Sequence, residues 1–391
     1  FENRYMVRGK KLSLDVPEPP PQAFDLSNSG TFTEGNLTIG QAGLFINQAA
    51  RGGAAQTTAE VVESSRHDSA TDDERPSTSR EGPDDGAFEV SMKDLKVLGM
   101  IGKGSSGVVQ KAVHVPTGNL LAVKVIQMET QEETRKHIIR ELKAIYQSIC
   151  PYIVPCHGAF FAGGSISIVL DYMDGGSLAD IAKQNGRIAE RYLAVISKQV
   201  LLGLVYLHKE LHIIHRDVKP ANLLVNHRGE VKISDFGVSH QLANSLTKCT
   251  SWVGTVTYMS PERISGNSYS FDSDCWSLGL AMVECALGKF PYPPEREANA
   301  PSLGFWDLLH YIVENPPPTI PEGQGYSDKF ASFISACMQK EPRNRASSTT
   351  LSEHPWLSLY DADVVELQEL LAPLPDPNAA TTPTAAAQAS K

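Results

Sequence analysis

The chain is poor in cysteine, in long apolar runs and in surplus positive charge, and each shortage argues against a class of protein. Its six cysteines form no CxxC pair and no regular spacing among 391 residues, which favours a reduced intracellular compartment with most thiols buried. The longest apolar stretch, Leu193 to Leu207, is broken by Lys198 and Gln199 and is too short to span a bilayer. A net charge of −10 argues against nucleic acid as a main partner, because phosphate binding needs surplus Lys and Arg.

The two ends of the chain differ in composition from its middle. Residues 1–88 are rich in Ser, Gly, Pro and charge, and the stretch 63–85 has too little apolar surface to offset chain entropy, so disorder is expected there. Alternating apolar residues predict a small β-hairpin over residues 30–46, able to dock on the main domain. Residues 376–391 predict a solvated tail. Because the chain begins at Phe1 rather than Met, we expect a fragment.

The middle of the chain predicts a small β-rich lobe followed by a larger helical lobe, an α+β arrangement. A length of 391 residues allows about two or three domains plus tails. A capping-box pattern at Thr130 opens a helix with Ile138, Leu142 and Ile145 on one stripe. The predicted strands are 95–100, 108–115 and 120–126, and further helices are predicted over 177–184, 190–208 and 274–287.

Residues 101–109, IGKGSSGVV, form a GxGxxGxV loop between two predicted strands. Glycines let backbone N–H groups close over phosphates without a Cβ in the way. The same spacing opens dinucleotide-binding units, but those need a strand followed by a helix, whereas a second strand follows here. The loop therefore predicts a nucleotide phosphate site, with a flexible hairpin tip as the simpler alternative.

Lys124 lies in an apolar run, residues 120–126, where an unpaired ammonium group would be costly. It therefore needs an acidic partner, whereas an ordinary edge-strand lysine would not. Glu141 is the natural candidate, because it lies three residues after Ile138 and four before Ile145 on the predicted buried face of a helix. The four residues ending at Lys124, LAVK, resemble a VAIK motif, whose lysine contacts the α and β phosphates of ATP.

Three short strings follow in fixed order: HRDVKPAN at 215–222, DFG at 235–237 and SPE at 260–262. They match the catalytic loop, the metal-binding loop and the end of the activation segment of a protein kinase. One string alone could arise by chance in a chain of this length, but three in this order can hardly do so.

These strings supply charged groups at the spacing that phosphoryl transfer requires, because that reaction depends on positioning more than on covalent chemistry. We expect Asp217 to act as the base that positions the substrate hydroxyl, and Lys219 to neutralise charge on the transferring phosphoryl group. Asn222 and Asp235 would bind Mg²⁺ through hard oxygen ligands. His215 is interpreted instead as a structural histidine with satisfied hydrogen bonds.

Residues 88–359 resemble eukaryotic protein kinases. Lys219 and the pair Gly254-Thr255 indicate the Ser/Thr architecture rather than the receptor-tyrosine type. Three segments are similar to MAP kinase kinases: DYMDGGSL at 171–178, NHRGEVKI at 226–233 and VGTVTYMSPER at 253–263.

Two features are similar to plant and green-algal members of that family. The string SGTF at residues 29–32 resembles the stretch that precedes the kinase domain of plant members. The candidate activating phosphorylation sites, Ser245 and Ser251, have five residues between them, where animal members have three. A plant or green-algal type is therefore expected.

The resemblance implies a bilobal eukaryotic protein kinase fold with disordered tails, and it implies most of the site. Glu262 and Arg345 would form a buried pair, and Leu170 would be the gatekeeper beside the adenine. The expected segments are a mostly disordered 1–88, an N-lobe with hinge over 89–174, a C-lobe over 175–359, and a short helix with disordered tail over 360–391. The expected catalytic residues are Asp217, Lys219, Lys124 and Glu141; the ATP-binding residues are Ile101, Gly102, Lys103, Gly104, Ser105, Ser106, Gly107, Val109, Ala122, Lys124, Asp171, Met173, Asn222 and Leu224; the metal ligands are Asn222 and Asp235.

The implied function is an ATP- and Mg²⁺-dependent dual-specificity kinase that phosphorylates the activation loop of a MAP kinase. An upstream MAP kinase kinase kinase would activate it at Ser245 and Ser251. The implied location is cytoplasmic and also nuclear. The alternatives are a pseudokinase scaffold, or another class of Ser/Thr kinase with a different substrate.

Two terminal segments are candidate docking sites. Residues 8–14 combine basic residues with a Leu-x-Leu pair and resemble the peptide by which MAP kinase kinases bind MAP kinases. Residues 361–371 predict a short helix that either docks an upstream kinase or packs on the large lobe. The docking residues expected near the N-terminus are Arg8, Lys10, Lys11, Leu12 and Leu14.

Overall fold

A five-stranded antiparallel sheet and a set of helices form the two lobes of the chain. The strands of the small-lobe sheet are hydrogen-bonded in the order Leu95–Gly104, Gly107–His114, Leu120–Gln127, Ser165–Asp171, Cys156–Ala162. The computed structural model describes residues 32–34, 37–40, 43–46, 90–104, 107–127, 142–143, 145–146, 148–235, 256–292, 304–360 and 365–371. The strands are β1 Phe32–Glu34, β2 Leu37–Gly40, β3 Gly43–Ile46, β4 Leu95–Gly104, β5 Gly107–His114, β6 Leu120–Gln127, β7 Cys156–Ala162, β8 Ser165–Asp171, β9 Leu223–Val225 and β10 Val231–Ile233. The helices are α1 Leu178–Asn185, α2 Glu190–Lys209, α3 Pro261–Ile264, α4 Asp272–Leu287, α5 Phe305–Glu314, α6 Asp328–Cys337 and α7 Ser348–Ser352.

Strand β6 is buried on both faces, which is why its sequence is a nearly continuous apolar run. Leu121 and Val123 join an apolar cluster on one face of the sheet. Successive side chains of a strand point to opposite faces, so Ala122, Lys124 and Ile126 share the other face. Full burial of an aliphatic side chain stabilises the fold by about 1.5–3 kcal/mol. Burial of the apolar residues on either side of Lys124 therefore stabilises the strand enough to offset the cost of burying the lysine.

The segment predicted as a β-hairpin over residues 30–46 is a three-stranded sheet. Strand β2 pairs with β1 on one side and with β3 on the other. The prediction missed β1 because three residues, Phe32–Glu34, are too few to show an alternating pattern. The predicted docking on the main domain is confirmed, since β2 and β3 lie against β7 and bury Ile39 and Leu44 in the small-lobe core.

The large lobe is built around α2 and α4, which supply more members of one extensive buried cluster than any other elements. Helix α4 is apolar on all sides, as expected for a helix enclosed by others, and Trp276 within it is fully buried. The cysteines Cys275, Cys285 and Cys337 are buried as small apolar residues. Burial raises the pKa of each of these thiols above its usual range. No helix in the described parts of the chain is long and apolar enough to cross a bilayer.

The C-terminal segment packs on the large lobe, and the described part of the predicted short helix is a 3-10 helix, Leu367–Leu371. Leu367, Leu370 and Leu371 are buried in the large-lobe core. Leu371 lies against the chain at Gly175, where any Cβ would come within 2.9 Å of it. Residues 361–364 lie outside the described residues.

Candidate active site

The strands that flank the glycine-rich turn, β4 and β5, place Gly102 and Val109 in line with Lys124 across the sheet. Gly102 and Val109 are paired across the two strands, and Val109 is paired in turn with Lys124. Gly107 has φ +134°, and a Cβ there would lie 2.1 Å from the carbonyl oxygen of Val125. Only glycine fits that position, so the motif glycine allows β5 to approach β6 closely. Of the predicted loop residues, Ser105 and Ser106 lie outside the described ones.

Lys124 forms an ion pair with Asp235. Its ammonium nitrogen lies 2.7 Å from Oδ1 of Asp235, and the pair joins β6 of the small lobe to the residues that follow β10. Burial raises the pKa of the Asp235 carboxyl, but the charge and hydrogen bond of Lys124 outweigh that effect and hold the pKa below its ordinary value. Asp235 is therefore ionised at neutral pH. Glu141, the partner that the sequence predicted for Lys124, lies outside the described residues.

Asp235 also adopts an uncommon backbone conformation. Its φ is +61°, in the left-handed region that only a few per cent of non-glycine residues occupy. Such conformations persist where the surrounding structure imposes them, and they cluster at functional sites. The strained position is consistent with a carboxylate held in a fixed orientation.

The catalytic-loop residues converge on the carboxylate of Asp217. Lys219 Nζ donates a hydrogen bond to it at 2.9 Å. Asn222 Nδ2 donates one hydrogen bond to the carboxylate and another to the backbone carbonyl of Asp217, both at 2.8 Å. Asp217 and Asn222 are buried. Both hydrogen bonds that the Asn222 amide donates go to Asp217, so Oδ1 of Asn222 is the atom left to bind a metal ion. The carboxylate of Asp217, the ammonium group of Lys219 and the amide of Asn222 thus form one connected group.

A buried carboxylate beneath this loop fixes its backbone. Asp274, in the first turn of α4, accepts hydrogen bonds from the backbone N–H groups of His215 and Arg216, each at 2.8 Å. His208 Nε2 lies 2.9 Å from the same carboxylate. Burial raises the pKa of Asp274, but the hydrogen bond and charge of His208 outweigh it and lower that pKa overall. Arg216 takes φ +71° in this arrangement.

His215 is a structural residue, as predicted. It is fully buried; Nε2 lies 2.9 Å from the carbonyl oxygen of Ser234, and Nδ1 accepts a hydrogen bond from the N–H of Asp217. These two contacts require the neutral tautomer with the proton on Nε2. The ring thereby links the catalytic loop to the residue that precedes Asp235.

The hinge between the lobes follows β8. The N–H of Asp171 donates to the carbonyl of Pro155, and the side chain of Asp171 accepts from His157 at 2.6 Å. Met173 and Ala122 are buried and Leu224 is half-buried, and their contacts with ATP stay a prediction. An ammonium–aromatic contact that the sequence did not predict joins Lys111 to Tyr172 of the hinge, at 4.3 Å from the ring centroid.

The end of the activation segment is anchored by Glu262 and Arg345. Two hydrogen bonds of 2.8 and 3.0 Å join them, both side chains are buried, and Ser273 donates a third bond to the carboxylate. The predicted pair is therefore confirmed. Arg263, next in sequence to Glu262, donates to the carbonyl of Arg216 at 2.8 Å and so connects this segment to the catalytic loop.

Sequence reasoning missed Asp274 and His208. Their only signal was a pair of polar residues at the ends of apolar helices, and Asp274 at the start of α4 is equally typical of a helix cap. Several predicted site residues have no described position. These are Glu141, Ser105, Ser106, Ser245, Ser251, Arg8, Lys10, Lys11, Leu12 and Leu14.

Comparison with known proteins identifies the family. Residues 95–357 match the model of the protein kinase domain. The chain is 45% identical to mitogen-activated protein kinase kinase 2 of Arabidopsis thaliana over 359 residues, 91% of each chain. It is 52% identical to mitogen-activated protein kinase kinase 1 of the same plant over 274 residues, 70% of this chain and 77% of that one.

The similarity extends to animals. The chain is 44% identical to the dual specificity mitogen-activated protein kinase kinase dSOR1 of Drosophila melanogaster over 297 residues, 71% of this chain and 74% of the fly protein. The matched domain includes the glycine-rich turn, Lys124, the Asp217 group and the Glu262–Arg345 pair. The chain is a protein kinase, and it belongs to the MAP kinase kinase family in its plant type.

Proposed function

We propose that this chain is an ATP-dependent dual-specificity kinase that phosphorylates a threonine and a tyrosine in the activation loop of a MAP kinase. We propose further that an upstream kinase switches it on by phosphorylating Ser245 and Ser251. The similarity to known MAP kinase kinases supports the substrate class, and the name of the fly relative, a dual specificity kinase, supports dual specificity.

The observation that carries the proposal is the group formed by Asp217, Lys219 and Asn222. Asp217 is positioned to orient a substrate hydroxyl and to accept its proton, and Lys219 lies where charge develops on the transferring phosphoryl group. A scaffold without turnover would not require this group, nor the Lys124–Asp235 pair. Both support a working enzyme over a pseudokinase.

The residues present fit ATP with a divalent cation. Asp235 and Asn222 offer two oxygen donors of the type that Mg²⁺ prefers, and Lys124 offers a cation for the α and β phosphates. When bound, the nucleotide and its metal ion would supply the phosphoryl group and the positive charge that offsets its negative charge. The chain's own contribution is to hold these oxygen and nitrogen atoms in fixed positions.

The switching proposal is supported by two arginines that lie close together. Arg216 and Arg263 both stack near the ring of Tyr269, at 6.0 and 5.1 Å, and Nε of Arg216 is buried with no hydrogen-bond partner among the described residues. Burial lowers the pKa of Arg263, and the neighbouring charge of Arg216 lowers it further. A phosphate on Ser251 would satisfy both cations with short charge-assisted bonds.

The test is an assay of the full chain against MAP kinases made inactive in their own catalytic sites. The proposal predicts one phosphate on the activation-loop threonine and one on the tyrosine of at least one MAP kinase. Transfer to a generic protein substrate but to no MAP kinase would indicate another kinase class. No transfer to any substrate, including itself, would favour a scaffold.

A further inference from the structure

The three-stranded sheet β1–β3 inserts two side chains into the small lobe. Ile39 and Leu44 face each other across the β2–β3 pair, and their exposures are 0% and 8%. The sheet does not share hydrogen-bonded pairing with the five-stranded sheet, so apolar contact holds the two together. An isolated sheet of this size is marginal in water, and it depends on that contact for its stability.

Four elements of the small lobe supply the apolar cluster that Ile39 and Leu44 join. Ile126 comes from β6, and Leu142 comes from a short helical stretch and is fully buried. The remaining members of this cluster, from β7 and β8, are Ala159, Phe161, Ile166 and Ile168. The appended sheet thus completes an apolar cluster that would otherwise be open on one side.

This cluster adjoins the lysine that the proposed function assigns to the phosphates of ATP. Ile126 lies two residues after Lys124 on the same face of β6. Leu142 directly follows Glu141 in the chain. The cluster therefore holds a neighbour of Lys124 on β6, although Lys124 itself does not belong to it.

We propose that the β1–β3 sheet is a built-in support for catalysis, in which Ile39 and Leu44 act as positioning residues. By closing the cluster they fix Leu142 against Ile126 and so hold the face of β6 that carries Lys124 in place. This inference rests on the role assigned to Lys124 under the proposed function. The sheet acts through packing within the small lobe, because the other described members of the cluster that Ile39 and Leu44 complete all come from that lobe.

The direction of the effect follows from the packing. Truncating a buried side chain leaves a cavity, and surrounding groups relax only partly into it. Here the groups that would relax include Leu142 and Ile126, so the loss would loosen the part of β6 that carries Lys124 rather than the large lobe. A misplacement of about 1 Å in a catalytic arrangement can cost about a hundredfold in rate.

The test compares the full chain with the double variant Ile39→Ala, Leu44→Ala. Point variants are preferable to removal of residues 30–46, which would also shorten the link to residues 8–14. The measured quantities are kcat and the KM for ATP with a generic protein substrate, autophosphorylation, and hydrogen exchange of residues 142–146. We expect kcat to fall about ten- to a hundredfold, with faster exchange in those residues.

Three control variants separate positioning from stability. Ile334→Ala removes an equally buried isoleucine from α6 of the large lobe, and Ile149→Ala removes one that is 91% exposed. Both should leave kcat per folded molecule unchanged, although the first lowers the melting temperature. Ile39→Val keeps most of the buried volume and should retain most of the kcat that Ile39→Ala loses.

The outcomes are distinct. An unchanged kcat in the folded double variant would overturn the proposal and leave the sheet a stabilising element only, and a raised kcat would overturn it in favour of an inhibitory contact. If the double variant does not fold, the single variants Ile39→Ala and Leu44→Ala are measured in the same way. If the unaltered chain transfers no phosphate at all, the proposed function fails. In that case the role of the β1–β3 sheet is judged by hydrogen exchange of residues 142–146 and by affinity for an ATP analogue, and no change of either in the double variant would overturn that role as well.

Discussion

The guanidinium of Arg345 and the carboxylate of Glu262 form a two-point ion pair at 2.8 and 3.0 Å, 83 residues apart in sequence. Neither side chain is exposed, and the guanidinium also lies over the ring of Trp276, with 5.3 Å to its centroid. The pair connects the end of the activation segment to the loop before α7. The segment that must recognise a protein substrate is thus tied to the core of the large lobe.

Removing one member of this pair should strongly destabilise the large lobe. Arg345→Met leaves a buried carboxylate without its partner, and we expect a loss of about 3–5 kcal/mol in the free energy of unfolding. Arg343→Met, two residues away on the surface, is the matched control and should have little effect. Urea unfolding measures both, and equal stability of the two variants would contradict the assignment.

The same pair should contribute to acid unfolding. Burial raises the pKa of Glu262, but the hydrogen bonds and charge of Arg345 outweigh it and hold the pKa below the ordinary 4.5. Because the pKa of this carboxyl is lower in the folded than in the unfolded state, its ionised form stabilises the fold, and this contribution is complete above pH 4.5. The contribution is lost as the pH falls through the folded-state pKa. The double variant Glu262→Gln, Arg345→Met should therefore show a weaker loss of stability on acidification. A steeper loss would show that the sign is wrong.

The switching proposal predicts opposite effects of two double substitutions. Ser245→Asp with Ser251→Asp should raise basal activity, because an acidic side chain near Arg216 and Arg263 partly replaces a phosphate. Ser245→Ala with Ser251→Ala should prevent activation by an upstream kinase. Mass spectrometry of the activated chain provides the direct check. Phosphate found only on Thr247 or Thr250 would reassign the switch to those residues.

The buried leucines of the last described segment predict a structural role for it. Leu371→Ala should cost about 2–5 kcal/mol in stability, whereas Glu366→Ala, at an exposed position of the same segment, should not. Removing residues 361–391 should then reduce the activity of the Ser245→Asp, Ser251→Asp variant as much as it reduces activation by an upstream kinase. A selective loss of upstream activation would instead favour a docking role.

The N-terminal basic segment should affect only the protein substrate. Leu12→Ala with Leu14→Ala should raise the KM for a full-length MAP kinase, because two small apolar anchors are lost, and should leave ATP affinity unchanged. The contribution of Arg8, Lys10 and Lys11 should shrink as salt is added. Leu359→Ala, an exposed leucine elsewhere, is the control. Unaltered kinetics toward every MAP kinase tested would leave the segment as a tail.

The sequence predicted those parts of the site whose residues lie close together along the chain. Asp217, Lys219 and Asn222 lie within six consecutive residues, so the motif defines their mutual geometry. The contacts it could not predict span long distances along the chain. Asp274 accepts a hydrogen bond from His215, 59 residues away in sequence, and Lys124 donates one to Asp235, 111 residues away. Such contacts depend on how the lobes fold, and a local sequence pattern does not predict them.

A short element was the other source of error. Strand β1 has three residues, too few to display an alternating pattern. Tertiary packing decides such segments. The two lobes were predictable because β6, α2 and α4 carry long apolar patterns whose burial follows directly from their sequence.

The most direct test of the account is phosphate transfer from ATP to a catalytically inactive MAP kinase by four full-length variants. Asp217→Ala and Lys124→Met should each abolish transfer and keep a cooperative melting transition, because they remove transition-state positioning rather than core packing. Asp328→Ala and Lys329→Met, the same changes at exposed positions of α6, should transfer phosphate at the unaltered rate. Substantial turnover by Asp217→Ala, at a rate close to that of Asp328→Ala, would contradict the assignment of the base and with it the proposed mechanism.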